Sequence, residues 1–445
     1  MAGHPLPVPT SSPAARRRPG GALAIVAFLV VTAIVAYRVV THLNVPGHPE
    51  VPRWALQDFR DAVYYPVVAF LQGHNPYDPA DMLRRYPIGL PFPWYLPMTL
   101  VIHMPLGLLP YETAEFAYFA LMVAVMLGVA WLTLRLCDLE GGLAEVFGLG
   151  TLVVMSRPGH WNLFTGQCTP LAVLGVYVAL RFVDERPGLA ALGVALAEFK
   201  PTFGVPLAVL LLARGSLRPV VIGTAVAGVV SLVPALVLAS SAGGPRALLG
   251  SLAAARHAFD ADAAVNPTSS PSRVDVASLL GRLLGRPPGS AAEIGIAIAV
   301  LGLGALGVGN LSRRADGGSR RLSASLVCLV ILGCTYHQAY DLLLLVLPLA
   351  VLITRGDEMP WASHPWTRWT LVALMAIPMA NYLTSDTAIS FLGLAGRWWV
   401  VLASVNGVLL LASLLIIVRL ALQAPAGWQA SRPRRRATSR GERRA

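Results

Sequence analysis

Uninterrupted apolar runs of about twenty residues recur along the chain, at 21–40, 117–136, 220–239, 294–311 and 398–418. Each is long enough to cross roughly 30 Å of hydrocarbon as a helix. None shows the in–out alternation of a barrel strand, and in lipid only helices or closed barrels satisfy every backbone polar group. The pattern therefore predicts an all-α polytopic membrane protein. Shorter apolar runs read the same way give about twelve spans, at roughly 22–43, 113–136, 144–156, 167–183, 188–200, 202–214, 219–240, 291–311, 323–336, 339–354, 367–384 and 397–421. The stretch 97–109 is too short and too proline-bounded to span, and reads as an interfacial or re-entrant piece.

Composition agrees with this pattern. Only 13% of the 445 residues are charged and 55% are hydrophobic, against about a quarter charged in a soluble domain. The net charge of +12 sits largely at the ends, in Arg16-Arg17-Arg18 and in seven arginines between 432 and 444. Basic flanks of this kind orient a chain in a membrane and imply no nucleic-acid partner. With both termini placed in the cytoplasm, every inner loop is basic: Arg135, Arg181/Arg186, Arg214/Arg218, Arg313/Arg314/Arg320/Arg321 and Arg355/Arg368. The organisation expected is a disordered basic tail over 1–20, a transmembrane domain over 21–423 with extracytoplasmic loops at 44–96 and 241–290, and a second disordered tail over 424–445. The first apolar run lacks a clean A-x-A site and reads as a retained anchor. The four cysteines lie in or beside apolar runs with no CxxC spacing and read as packing residues.

On this threading the polar residues that interrupt apolar sequence gather on one face. Asp58 and Asp61 follow the first helix, three apart, so a helix would put them on one side; Tyr64-Tyr65 and Gly73-His74-Asn75-Pro76-Tyr77-Asp78 come next. A carboxylate at a low-dielectric boundary can have a raised pKa and act as a general base, while a solvated helix start with Arg60 as counter-charge explains the same residues. Lys200 is the only lysine, set in Glu198-Phe199-Lys200-Pro201 where proline breaks the helix. It can hold a phosphate, or snorkel, or pair with Glu198. Asn162 and Gln167 lie in a turn at 159–167. Tyr336-His337-Gln338-Ala339-Tyr340-Asp341 puts four polar residue types inside an otherwise apolar stretch, as a sugar or phosphate site or as a buried network joining helices. His337 and Asp341 have a spacing that a metal could use, but no third ligand is visible and no metal site is assigned. In the 241–290 loop, Arg256 and Asn266 offer polar groups without a motif. There is no Walker A and no dinucleotide fingerprint, so the sequence does not support direct nucleotide binding.

Taken in order, the Asp58-Phe59 pair, Gly73–Tyr77, Gly166-Gln167, Lys200-Pro201 and His337–Asp341 resemble the polytopic GT-C glycosyltransferases of actinobacteria, specifically glycosyltransferase family 87. The resemblance runs over about residues 55 to 350 and departs at Tyr86-Pro87-Ile88 and Gln167-Cys168-Thr169. It implies a GT-C-like bundle in the plasma membrane with its site on the extracytoplasmic face and no cofactor. The donor it implies is a polyprenyl-phosphate sugar, and the acceptor a glycolipid or lipoglycan. Mannose is the sugar expected first and arabinofuranose the alternative; a transporter or flippase for a lipid-linked precursor is the alternative of a different class. Asp58 would be the general base, His337 would lie near the donor phosphate or acceptor, and Lys200 would neutralise the leaving phosphate. Asp61, Tyr65, Asn75, Tyr77, Gln167, Arg256, Asn266, Tyr340 and Asp341 complete the expected substrate site.

Overall fold

The computed structural model describes residues 20–43, 55–93, 95–263, 265–314, 316–359 and 365–423. The two tails, and 44–54 of the first external segment, lie outside the described residues. The elements in order are α1 (Gly20–Thr41), α2 (Gln57–Phe59), a π-helical turn (Arg60–Tyr64), α3 (Tyr65–Leu71), α4 (Pro79–Arg85), α5 (Met98–Ile102), α6 (Met104–Gly107) and α7 (Tyr111–Leu136). Then come α8 (Leu143–Met155), α9 (Arg157–Thr165), α10 (Thr169–Phe182), α11 (Pro187–Glu198), α12 (Pro201–Ala213), α13 (Leu217–Ser241), α14 (Pro245–Ala261) and α15 (Val276–Leu284). The last part holds α16 (Ser290–Ser312), α17 (Gly317–Cys334), a 3-10 stretch (Ala339–Leu345), α18 (Val346–Arg355), α19 (Pro365–Ala380), α20 (Asp386–Phe391) and α21 (Gly396–Gln423). Among the described residues there is no strand, only the isolated bridges Leu43–Ala55 and Arg273–Gln338.

Among the described residues, seven segments are long and apolar enough to cross a membrane: α1, α7, α13, α16, α17, Ala339–Glu358 and α21. The shorter apolar helices α8, α10, α11 and α12 pack among them. Burial divides the bundle as a bilayer requires. The side chains of α17 and of the stretch that follows it are almost all enclosed, whereas α1, α13 and α16 turn Leu23, Ile34, Val233, Leu236, Ile298 and Leu306 outward. So much outward apolar surface is stable only against lipid. The chain is thus an all-helical polytopic membrane protein.

Packing of the shorter helices relies on small residues. A Cβ on Gly175 of α10 would come within 2.8 Å of the α11 backbone at Ala197 N, and one on Gly193 within 2.4 Å of Ala179 N. Gly223 of α13 would meet Ala191 O at 2.6 Å. These glycines let α10, α11 and α13 approach backbone to backbone, which supplies dispersion contact where lipid gives no hydrophobic drive.

Two expectations change. The 241–290 segment is not an open loop: it carries α14 and α15, and α15 opens with Asp275 capping Ser278 N at 2.9 Å. The 159–167 turn is the helix α9, capped by Ser156 and started by Pro158 in its first turn. The 97–109 stretch forms α5 and α6, broken at His103.

Candidate functional site

The site forms where one set of helix ends meets: α2, the C-terminus of α9, the N-termini of α10 and α12, the C-terminus of α11, and the segment joining α17 to α18. Leu56 sets the entry to α2. It adopts φ +55°, a left-handed conformation costly for leucine, while its N–H donates to Phe164 O at 2.8 Å. Gly166 closes α9 with φ +74° and lies directly against Phe59. A Cβ there would stand 2.6 Å from Phe59 Cβ and 3.1 Å from Phe59 N. Glycine is therefore required both by the backbone angle and by the approach. Gly166→Ala is expected to destabilise the chain by about 1–3 kcal/mol and to displace the carboxylate beside Phe59. A fall in melting temperature in detergent, together with loss of transfer, would be the readout.

Asp58 is partly enclosed between these elements and accepts hydrogen bonds from Thr165 and Gln167. Burial pushes its carboxyl from 3.8 to about 6, against the lowering effect of those two bonds; Asp61 raises it further and Lys200 lowers it. The group is thus an ionisable base near neutral pH.

Asp61 does different work. It lies in a π turn, Arg60–Tyr64, that follows α2. Its carboxylate takes Arg60 Nε at 2.6 Å and the backbone N–H groups of Gly89 and Leu90 at 3.1 and 2.9 Å. It therefore fastens the 86–93 segment over α2. Asp61→Ala would leave Arg60, only 5% exposed, as an uncompensated buried cation. A loss of about 3 kcal/mol follows, visible as faster amide exchange at residues 86–93.

Opposite Asp58 lies a buried charge cluster. Lys200 Nζ donates to Asp341 Oδ1 at 2.7 Å and to Thr169 Oγ1 at 2.8 Å. It also stands 5.0 Å from the ring centroids of Phe203 and Tyr340. Thr169 Oγ1 donates in turn to Asp341 Oδ1 at 2.9 Å. Asp341 Oδ2 accepts from His337 Nδ1 at 3.1 Å and from Gln338 N at 2.9 Å. Four donors saturate this carboxylate. Lys200 is therefore spent on a fixed ion pair and is not the free cation that the sequence alone allowed. His337 is fully buried, its ring edge-to-face with Phe203 at 4.9 Å between centroids, and its Nε2 has no hydrogen-bond partner among the described residues.

A second layer holds these groups. Asn162 Nδ2 donates to Tyr340 O at 2.9 Å, joining α9 to the 3-10 stretch. Val274 N donates to His337 O and Ala339 N to Ser272 O, so residues 272–274 run alongside 337–339. That strap is locked by Arg273, which chelates Asp275 through two 2.9 Å bonds and lies 4.9 Å over Tyr336. Arg282 adds bonds to Ser270 O and Arg273 O.

Of the residues expected from sequence, the structure brings together Asp58, Gln167, Lys200, His337, Tyr340 and Asp341. Tyr65 stacks on Tyr86 and Tyr111 nearby. Asn75 accepts from Tyr77 N within its own turn, and Tyr77 Oη donates to Tyr95 O at 2.5 Å. Asn266 likewise caps its own turn at Thr268, and Arg256 pairs with Asp260 on the exposed side of α14. The structure does not bring either of these last two to the Asp58 cluster. Thr165, Thr169, Tyr95, Arg273 and Asp275 were not singled out from sequence. Tyr95 hydrogen-bonds the Cys168 thiol and lies near enough to Asp58 and Asp341 to feel both charges. Its signal was the aromatic–proline run Pro91–Pro97, and that of Asp275 was a helix cap, Asp275-x-x-Ser278.

The fold is that of a polytopic membrane protein, and its site sets the half-buried Asp58 carboxylate beside a fixed network of buried ion pairs. Residues 93–348, more than half of the chain, match the family model of glycosyltransferase family 87. The chain belongs to that family and is a membrane glycosyltransferase. The matched stretch contains Gln167, Lys200, His337, Tyr340 and Asp341 but begins after Asp58. Neither a curated protein nor a solved structure matches the chain.

Proposed function

We propose that the protein moves mannose from polyprenyl-phosphate-mannose to a hydroxyl of a glycolipid or lipoglycan, with inversion at the anomeric carbon. The observation that carries this reading is Asp58: a carboxylate held near pKa 6, whose two carboxylate neighbours, Asp61 and Asp341, are both fully engaged. With one base and no carboxylate free to act as nucleophile, single displacement is the fitting chemistry. Asp58 takes the proton of the acceptor hydroxyl as its oxygen bonds to the anomeric carbon. The bond from that carbon to the phosphate oxygen breaks, and polyprenyl phosphate leaves with the electron pair. His337 Nε2 has no partner among the described residues, and with Nδ1–H given to Asp341 it is left as an acceptor, so it is assigned to a hydroxyl of the substrate. The Lys200–Asp341–Thr169 cluster fixes that imidazole through Nδ1 and keeps the site preorganised.

A donor dissolved in the bilayer needs no nucleotide site, which fits the absence of phosphate-loop motifs from the sequence. Placement in the plasma membrane, with both termini cytoplasmic and the reaction outside, is supported by the loop arginines, which gather at the helix ends opposite Asp58. The test is transfer of label in membranes carrying the chain, supplied with radiolabelled polyprenyl-phosphate-mannose and envelope lipids. A new labelled glycolipid supports the proposal. Label moving only from polyprenyl-phosphate-arabinose would replace the sugar, and label moving from neither would refute the donor class.

A further inference from the structure

The helices that form the Asp58 site carry a second polar cluster at their other ends. Arg135 closes α7, Arg181 lies in the last turn of α10, Arg214 follows α12, and Arg320 and Arg321 lie near the start of α17. Since α10 has 14 residues, its two ends lie about 20 Å apart, which separates this cluster from Thr169 and the reaction site. Together the five arginines line a half-enclosed cleft of about 80 Å³. At 10–15 Å³ per water-sized probe the space holds roughly five to eight waters, ample for a phosphate group.

Three of these arginines are already matched. Arg181 pairs with Glu185 at 2.9 Å and Arg214 with Asp184 at 2.6 Å, while Arg321, 7% exposed, is gripped by Asp138 and Glu358. Asp138 adopts φ +53° at the end of α7 to make that contact. Arg321 Nε is buried without a partner among the described residues. The side chains of Arg135 and Arg320 make no hydrogen bond or ion pair among the described residues, although Arg320 lies near enough to Glu185 for the two charges to interact. Five arginines against the four carboxylates Asp138, Asp184, Glu185 and Glu358 leave one surplus positive charge on a frame of ion pairs. A scattered set of topogenic arginines would need neither the shared cleft nor the neutralised frame around it.

The apolar surround decides which anion fits. Leu210, Leu211 and Val327, themselves enclosed, line the cleft beside the arginines, and Leu212 and Leu217 at the same end face outward among the lipid-facing residues. A free phosphate gains nothing from that outward apolar surface, whereas a lipid lays its glycerol and first methylenes along it.

We propose that this cleft binds the phosphate headgroup of an anionic phospholipid, at the end of the bundle opposite the Asp58 site. The site stands independently of the sugar-transfer reading. The test uses the full chain purified in neutral detergent and native mass spectrometry of bound lipid, with dioleoylphosphatidylglycerol, dioleoylphosphatidylcholine and inorganic phosphate as probes. Wild type is expected to retain phosphatidylglycerol at concentrations where phosphatidylcholine is lost. Arg135→Gln/Arg320→Gln is expected to weaken that retention about tenfold. The pair Arg218→Gln/Arg313→Gln, exposed like Arg135 and Arg320 but outside the cleft at the same end, is expected to leave it unchanged. Equal retention of the two lipids, or equal loss in both double variants, overturns the site. Competition by millimolar inorganic phosphate that removes the phosphatidylglycerol overturns its assignment to a lipid.

Discussion

Asp58→Asn is expected to lower sugar transfer by at least about 10²-fold, the usual contribution of a positioned general base, while the chain remains folded. Asparagine keeps the shape and can still hydrogen-bond Gln167 and Thr165, but it cannot accept the acceptor's proton. The stability effect runs the other way. The carboxyl is raised from 3.8 to about 6 in the fold, so the folded state binds the proton more tightly than the unfolded chain. Its charge therefore costs stability once pH exceeds the folded pKa, by up to about 3 kcal/mol, less whatever its partial solvent contact screens. At pH 7 the variant should melt no lower than wild type. Activity of wild type should fall on the acid side with a midpoint near pH 6, since only the ionised carboxylate serves as base. An Asn variant that melts normally and still transfers sugar at the wild-type rate would remove Asp58 from the reaction.

The second large effect concerns the Lys200–Asp341 pair. Asp341→Ala leaves an ammonium that is 3% exposed, with Thr169 Oγ1 as its remaining oxygen partner, and Lys200→Met strands a carboxylate with no exposure at all. Each single change is expected to cost about 3–5 kcal/mol and to lower both melting temperature and yield. The double variant Lys200→Met/Asp341→Asn removes both charges and should recover much of that loss, because the pair offsets its own desolvation and little more. It should not recover transfer, because no carboxylate then remains at position 341 to polarise and orient His337 through Nδ1. Additive stability losses in the double variant would show the two charges to be independent.

Much of the bundle was legible because a membrane span needs only length and apolarity, which are local. The expected 219–240 and 291–311 became Leu217–Ser241 and Ser290–Ser312, within two residues at each end. What was not legible depends on distant contacts. Nothing around Asp58 announces the π turn at Arg60–Tyr64, or that Gly166, more than a hundred residues on, will bring Gln167 to its carboxylate. Lys200 could be read as a phosphate ligand because its partner Asp341 lies 141 positions away. The strap at 272–275 looked like ordinary polar loop, since Arg273 and Asp275 acquire meaning only against Tyr336 and His337. Even so, five short polar interruptions in apolar sequence were enough to mark Asp58, Gln167, Lys200, His337 and Asp341 as belonging together.

The helices whose ends form the site are short. α10, α11 and α12 have 14, 12 and 13 residues, or about 18–21 Å at 1.5 Å each, against a hydrocarbon core of roughly 30 Å. Measured from Arg181 and Arg214 at their far ends, these three place Thr169 and Lys200 about 20 Å away, some 10 Å short of a full crossing. Both residues are enclosed by protein, at 0% and 3% exposure, so their recess is lined by the longer spans around them and not by lipid. The short helices thus set a depth: the Lys200–Asp341 pair sits below the level that the full-length spans reach, shielded from water by their extra turns.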